Sequence, residues 1–139
     1  MNKREIIYSV DHLDLFNMKE GEDIELLKDL TVQNTEAITI LLDDVPIISI
    51  GLRLINGITG EVWMIKSENI SKHLIYIIKR LNELIYFYAE KYKLQRIHTF
   101  ILEENIKWIE NLGFEKETEL IGFLKDKKSY LYRRLFKWE

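Results

Sequence analysis

The chain has 139 residues and a mass of 16.7 kDa; 47% of its side chains are hydrophobic and 31% charged, the composition of a folded single domain and not of a disordered segment. It contains no cysteine, which excludes disulfide scaffolds, thiolate metal sites and cysteine nucleophiles, and His12, His73 and His98 fall at no metal-ligand spacing, so no metal is expected. A net charge of −3 argues against a general nucleic-acid binder, and no apolar run approaches the roughly 18 residues of a membrane helix, so neither nucleic acid nor membrane is an expected partner. The N-terminal residues lead into no signal-type segment, and a cytoplasmic location is the expectation.

Pro46 is the only proline, and no stretch rich in Pro, Gly or Ser marks a linker, so residues 1–139 read as one domain. Residues 1–69 carry 6 basic and 13 acidic side chains, whereas residues 70–139 carry 14 basic and 10 acidic. Solvated helix faces account for this more simply than an anion site in the second half and a cation site in the first.

A short strand is expected over 4–10, then a short helix capped by Asp11 and running through Leu13, Leu15 and Phe16. A second helix is expected over 22–34, where Ile24, Leu27 and Leu30 form one apolar stripe. Residues 36–42 read as a strand rich in β-branched side chains, Asp43-Asp44 as a tight turn, and 45–55 as the returning strand. Asn56-Gly57 and Gly60 mark another turn before a strand from Glu61 to Lys66. The strongest periodicity is that of Ile70, Leu74, Ile77, Ile78, Leu81, Leu84, Ile85 and Tyr88, an apolar face on a helix spanning about 70–91, with Ser67, Asn69 and Ser71 offering capping side chains. A strand over 94–102, a helix over 103–111 stopped at Gly113, and two strands over 113–124 and 128–137 around the polar tip Lys125-Asp126-Lys127 complete the chain. The order β-α-α-β-β-β-α-β-α-β-β predicts a mixed α/β fold, a twisted mixed sheet flanked by helices.

This element order, and the segment Asn105-Ile106-Lys107-Trp108-Ile109-Glu110-Asn111-Leu112-Gly113-Phe114-Glu115, resemble the GNAT superfamily of N-acetyltransferases, whose fourth helix turns into a strand through Leu-Gly-Phe. Val62-Trp63-Met64, His73, the Trp108 to Phe114 helix end and Asp126 to Tyr130 are similar to the GNAT-like proteins of tailed bacteriophages, some of them virion or morphogenesis proteins. The likeness covers residues 60–135 by motif and 1–59 by element order alone.

The resemblance implies an acyl-CoA-dependent N-acyltransferase that moves acetyl from acetyl-CoA to the amine of a small molecule or protein. Backbone groups at Met64 and Ile65 are then expected to meet the pantetheine arm, and free amides at the start of the long helix the diphosphate, where the helix dipole favours negative charge. The family's Gln/Arg-x-x-Gly-x-Gly/Ala signature is missing: its places fall near Glu68, Ser71 and His73, and no glycine occurs between Gly60 and Gly113. Ser71, Lys72 and His73 are the expected replacements, acting through side-chain donors. The family's helix tyrosine, the acid that protonates the leaving thiolate, corresponds to Ile109, which carries no proton; Tyr130, with Tyr132 as alternative, is the expected donor. Glu61 is the expected base, with His98, Glu103 and Glu104 open as alternatives.

The basic residues Lys125, Lys127, Lys128, Arg133, Arg134 and Lys137 suit a coenzyme A 3′-phosphate, an acidic partner protein or nucleic acid; pairing with the alternating Glu115, Glu117 and Glu119 of the adjacent strand is the simpler reading. Trp63 and Trp108 read as core residues before acyl-pocket residues. The missing motifs also support a second expectation, a GNAT-fold protein that has lost the reaction and binds a phage or host protein, in the host cytoplasm or the virion. The acceptor and the oligomeric state are left open.

Overall fold

In a computed structural model, the structure describes residues 2–9, 11–12, 16 and 34–138. The helices expected over 11–16 and 22–34 lie outside the described residues, apart from Asp11, His12, Phe16 and Asn34. Strands are β1 (Lys3–Ile7), β2 (Glu36–Leu42), β3 (Val45–Leu54), β4 (Thr59–Lys66), β5 (Arg96–Leu102), β6 (Glu115–Leu124) and β7 (Lys127–Leu135); helices are α1 (Leu74–Tyr92) and α2 (Ile106–Asn111). They form the expected mixed α/β architecture, a seven-stranded sheet in the order β1-β2-β3-β4-β5-β7-β6 with one parallel pair, β4–β5, among those with a described register. Two compact units divide the chain, Met1–Arg53 with Trp63–Ile77 and Leu54–Val62 with Ile78–Glu139.

In the first unit, β1 and β3 flank β2 in antiparallel register, Ile6 opposite Thr39 and Ile50 opposite Ile38. Asp43 and Asp44 both hold positive φ, 50° and 65°, the conformation of a two-residue hairpin turn whose twist matches its strands. Pro46 to Leu52 are buried without alternation, as in a strand covered on both faces. Within that core the Thr39 and Ser49 hydroxyls satisfy each other at 2.7 Å, and His12 Nδ1 lies 2.8 Å from Thr39 Oγ1. Gly51 is required by close approach: a Cβ there would stand 2.2 Å from the Trp63 indole, which packs with Tyr8, Phe16 and Ile65.

The expected helix start at Ile70 is corrected. Residues Glu68–His73 form a 3₁₀ segment, opened by Ile70 N–H donating to Ser67 C=O at 3.2 Å, and the α-helix begins at Leu74. A tighter i→i+3 turn commonly leads into a helix, and with Ile70 as the one apolar residue of the segment, hydrophobic periodicity does not register the change.

In the second unit, α1 buries Leu81, Leu84, Ile85, Tyr88 and Ala89 at three- and four-residue steps. It ends at Lys93, φ 51°, with Leu94 N–H reaching back to Ala89 C=O at 2.9 Å. The helix α2 ends the same way at Gly113, φ 81°, as the sequence predicts, with Phe114 N–H donating to Ile109 C=O. Half-buried Arg134 fixes this corner, Nη1 donating to Asn82 Oδ1 of α1 and to Leu112 C=O, both at 3.1 Å. No helix among the described residues is long and apolar enough to cross a membrane.

Candidate functional site

The parallel pairing of β4 and β5 sets Thr59 beside Arg96, Gly60 beside Ile97 and Glu61 beside His98. Period-two alternation turns Arg96, His98 and Phe100 to one sheet face and the buried Ile97, Thr99 and Ile101 to the other. Arg133 of β7 lies opposite His98, and Glu115 of β6 opposite Arg133, so both share the His98 face. A register shift between Lys116 and Thr118 adds one residue to β6. Glu117 sits in that bulge, and Glu119 is thereby turned to the opposite face, beside Tyr130.

These residues make a continuous polar chain. Glu117 accepts two hydrogen bonds from Arg96, from Nη1 at 2.5 Å and Nη2 at 2.8 Å, and a third contact from Arg133 Nε at 3.2 Å. Arg133 Nη1 also reaches Glu115 at 3.6 Å. The bidentate bonds from Arg96 hold the Glu117 carboxyl below the usual carboxylate range despite some desolvation, and the same bonds raise the Arg96 guanidinium. Arg96 Nε then donates to His98 Nδ1 at 3.3 Å. A guanidinium N–H only donates, so Nδ1 is the acceptor and the neutral ring carries its proton on Nε2. That nitrogen faces Glu61 Oε2 across 3.6 Å, with both side chains more than four-fifths buried, at 15% and 19% exposure.

The other expected site residues are placed elsewhere in the chain's elements. Ile65 is spent in the core with Phe16, and Met64 is half-buried on the same strand. Ser71, Lys72 and His73 lie in the 3₁₀ segment before α1, Lys72 exposed and His73 half-buried, with the acidic Glu68 at the segment's opposite end. The segment contains no glycine. Tyr130 is buried and pairs with Ile101, on the face opposite His98 and Glu61, so the structure does not bring Tyr130 and Glu61 together. Tyr132 shares that face, and burial pushes its hydroxyl pKa up. Ile109 is fully buried. Of the alternative bases, His98 is beside Glu61, whereas Glu103 and Glu104 belong to the 3₁₀ turn after β5.

Arg96 and Glu117 are absent from the expected site. The alternating glutamates of β6 were the available signal, and Glu115 and Glu117 do pair with Arg133; Arg134 points to the other face.

No protein-family model and no curated protein sequence matches the chain. Solved structures do. A GNAT-family acetyltransferase from Elizabethkingia anophelis with acetyl-CoA bound superposes with a TM-score of 0.75 at 13% identity, over 97% of this chain and 99% of that one. Ard1 from Thermoplasma volcanium gives 0.74 at 11% identity, over 98% and 99%. An acetyltransferase from Streptococcus agalactiae gives 0.67 at 18% identity, over 96% and 98%. At these identities the likeness establishes the fold, which is the one GNAT acetyltransferases adopt.

Proposed function

We propose that the chain is an acyl-CoA-dependent N-acyltransferase in which Glu61 is the general base. The observation that carries this reading is the Glu61–His98 pair, a largely buried carboxylate facing an imidazole whose tautomer is set by Arg96. Acetyl-CoA supplies the acyl group on a thioester whose sulfur leaves as its bond to the acyl carbon breaks. The acceptor nitrogen forms the new bond to that carbon through its lone pair, and its proton passes to the Glu61 carboxylate. His98 Nε2–H faces the carboxylate at 3.6 Å and favours its charge before the transfer. Lys72 and His73 hold the diphosphate by charge and hydrogen bonding in place of the missing glycines, while the backbone of Met64 and Ile65 meets the pantetheine arm. Tyr130 is left to packing on the opposite face.

The test is amine acetylation by Glu61→Gln, which keeps the shape and removes the base. kcat/KM falls about 10²- to 10⁴-fold with acetyl-CoA affinity unchanged. An unchanged kcat/KM rules out Glu61 as the base.

A second reading has its own observation, the exposed Glu68 and the absence of glycine in the segment leading into α1. On that reading the fold is kept for binding a phage or host protein. Acetyl-CoA separates the two, because the binding protein has no affinity for it.

A further inference from the structure

Among the described residues β6 is the end strand of the sheet, paired with β7 on one side alone. Its first half is charged, with Glu115, Lys116, Glu117 and Glu119, whereas Leu120-Ile121-Gly122-Phe123-Leu124 holds no charge. Ile121 is 92% exposed, Phe123 53% and Leu124 41%. A charge-free apolar stretch on a sheet edge invites pairing, and single domains guard such edges with charges, prolines or bulges. The strand does bulge here: between Leu120, opposite Ser129, and Leu124, opposite Lys127, three residues face Lys128 alone, and Gly122 takes φ 69°. This bulge puts no polar group at its crest. It leaves Ile121 in water, while Phe123 lies back over the sheet against Phe100 with ring centroids 5.4 Å apart.

The charges on either side of this stretch decide what covers it. Glu115, Glu117 and Glu119 outnumber Lys116 before it, and Lys125, Lys127 and Lys128 outnumber Asp126 after it, at the hairpin tip. Arg96 and Arg133 answer Glu117 and Glu115 within the chain. Glu119 is turned to the opposite face, and neither it nor the three lysines has an ion pair among the described residues. A strand that is acidic before its apolar stretch and basic after it is complementary to itself reversed. A two-fold axis at Gly122 sets Ile121 against the partner's Phe123 and Leu120 against the partner's Leu124, and it carries Glu119 to the partner's Lys125. A parallel arrangement would set lysine against lysine.

We propose that the chain forms a two-fold dimer in which β6 of one copy lies antiparallel to β6 of a second, burying Ile121 and Phe123 at its centre and pairing Glu119 with the partner's Lys125 at each end. The bulge interrupts the backbone edge at the axis, so the contact is made by these side chains and not by a continuous ladder of strand hydrogen bonds.

The test is sedimentation velocity on the intact chain across the micromolar range, where a dimer is expected. Ile121→Lys raises its dissociation constant at least about 100-fold, because each dimer loses that side chain twice. Glu119→Lys and Lys125→Glu each weaken the dimer, and the two together restore it, which a merely adhesive surface would not do. A monomer at every concentration overturns the proposal, as does a dimer indifferent to Ile121→Lys or a double variant no tighter than the single ones. Melting of Ile121→Lys at a dilution where the unsubstituted chain is monomeric completes the test. An unchanged Tm there supports the dimer, whereas a fall overturns it, since Ile121 is then covered by its own chain.

Discussion

Arg96 links the structural and the chemical roles of the His98 face. Its Nη atoms are committed to Glu117 and its Nε to His98, so one planar group sets both a strand-to-strand ion pair and an imidazole tautomer. The pair also carries a pH signature. The Glu117 pKa is depressed in the fold, so its stabilisation is complete above the ordinary value of 4.5 and fades as pH falls through the lowered one. Arg96→Gln is therefore expected to lower the urea midpoint at pH 7, with the gap from the unsubstituted chain closing as the pH drops below 4.5. A gap that is constant or widens with acidification contradicts the assignment. Glu61 and His98 were each legible as candidates in the sequence, but not as a pair. Their meeting depends on the parallel register of strands separated by the whole of α1, and local spacing carries no such information. Arg96 and Glu117 were hidden for a related reason. The bulge at Glu117 breaks the alternation of Glu115, Glu117 and Glu119 and sends the last to the other face.

At the scale of elements, the strands and helices from residue 36 onward follow the sequence pattern closely, because each joins strong periodicity to turn residues suited to their dihedrals. Gly113 illustrates this: its positive φ closes α2, and Arg134 lies 3.4 Å from where a Cβ would stand. The end of α1 was less legible, since its left-handed residue is Lys93, a type with no preference for that conformation. Lys93→Gly should relieve about 1 kcal/mol of backbone strain and lose about 0.5 kcal/mol from the exposed Lys93–Trp138 contact at 4.9 Å. The net gain is an increase in Tm of about 2 °C by calorimetry; a decrease means that the Trp138 contact outweighs the strain. The 3₁₀ entry to α1 was read as α-helix because Ile70 and Leu74 stand four residues apart, a spacing that suits the 3.6-residue period. That difference sets Lys72 and His73 in the turn before the helix and not within its first turn.

At the scale of the whole molecule, the fold is that of GNAT acetyltransferases while the sequence lacks their glycine signature and helix tyrosine. On the proposed acyltransfer reading, Lys72 and His73 take the place of that signature at the diphosphate. The decisive measurement is calorimetric titration with acetyl-CoA, paired with thermal melts, on the intact chain and on Lys72→Glu. Saturable binding is expected, with stabilisation of about 2.7 kcal/mol at one hundred times the dissociation constant and clear weakening in Lys72→Glu. No heat and no shift in Tm at millimolar acetyl-CoA would contradict it and leave a GNAT fold that works by binding alone.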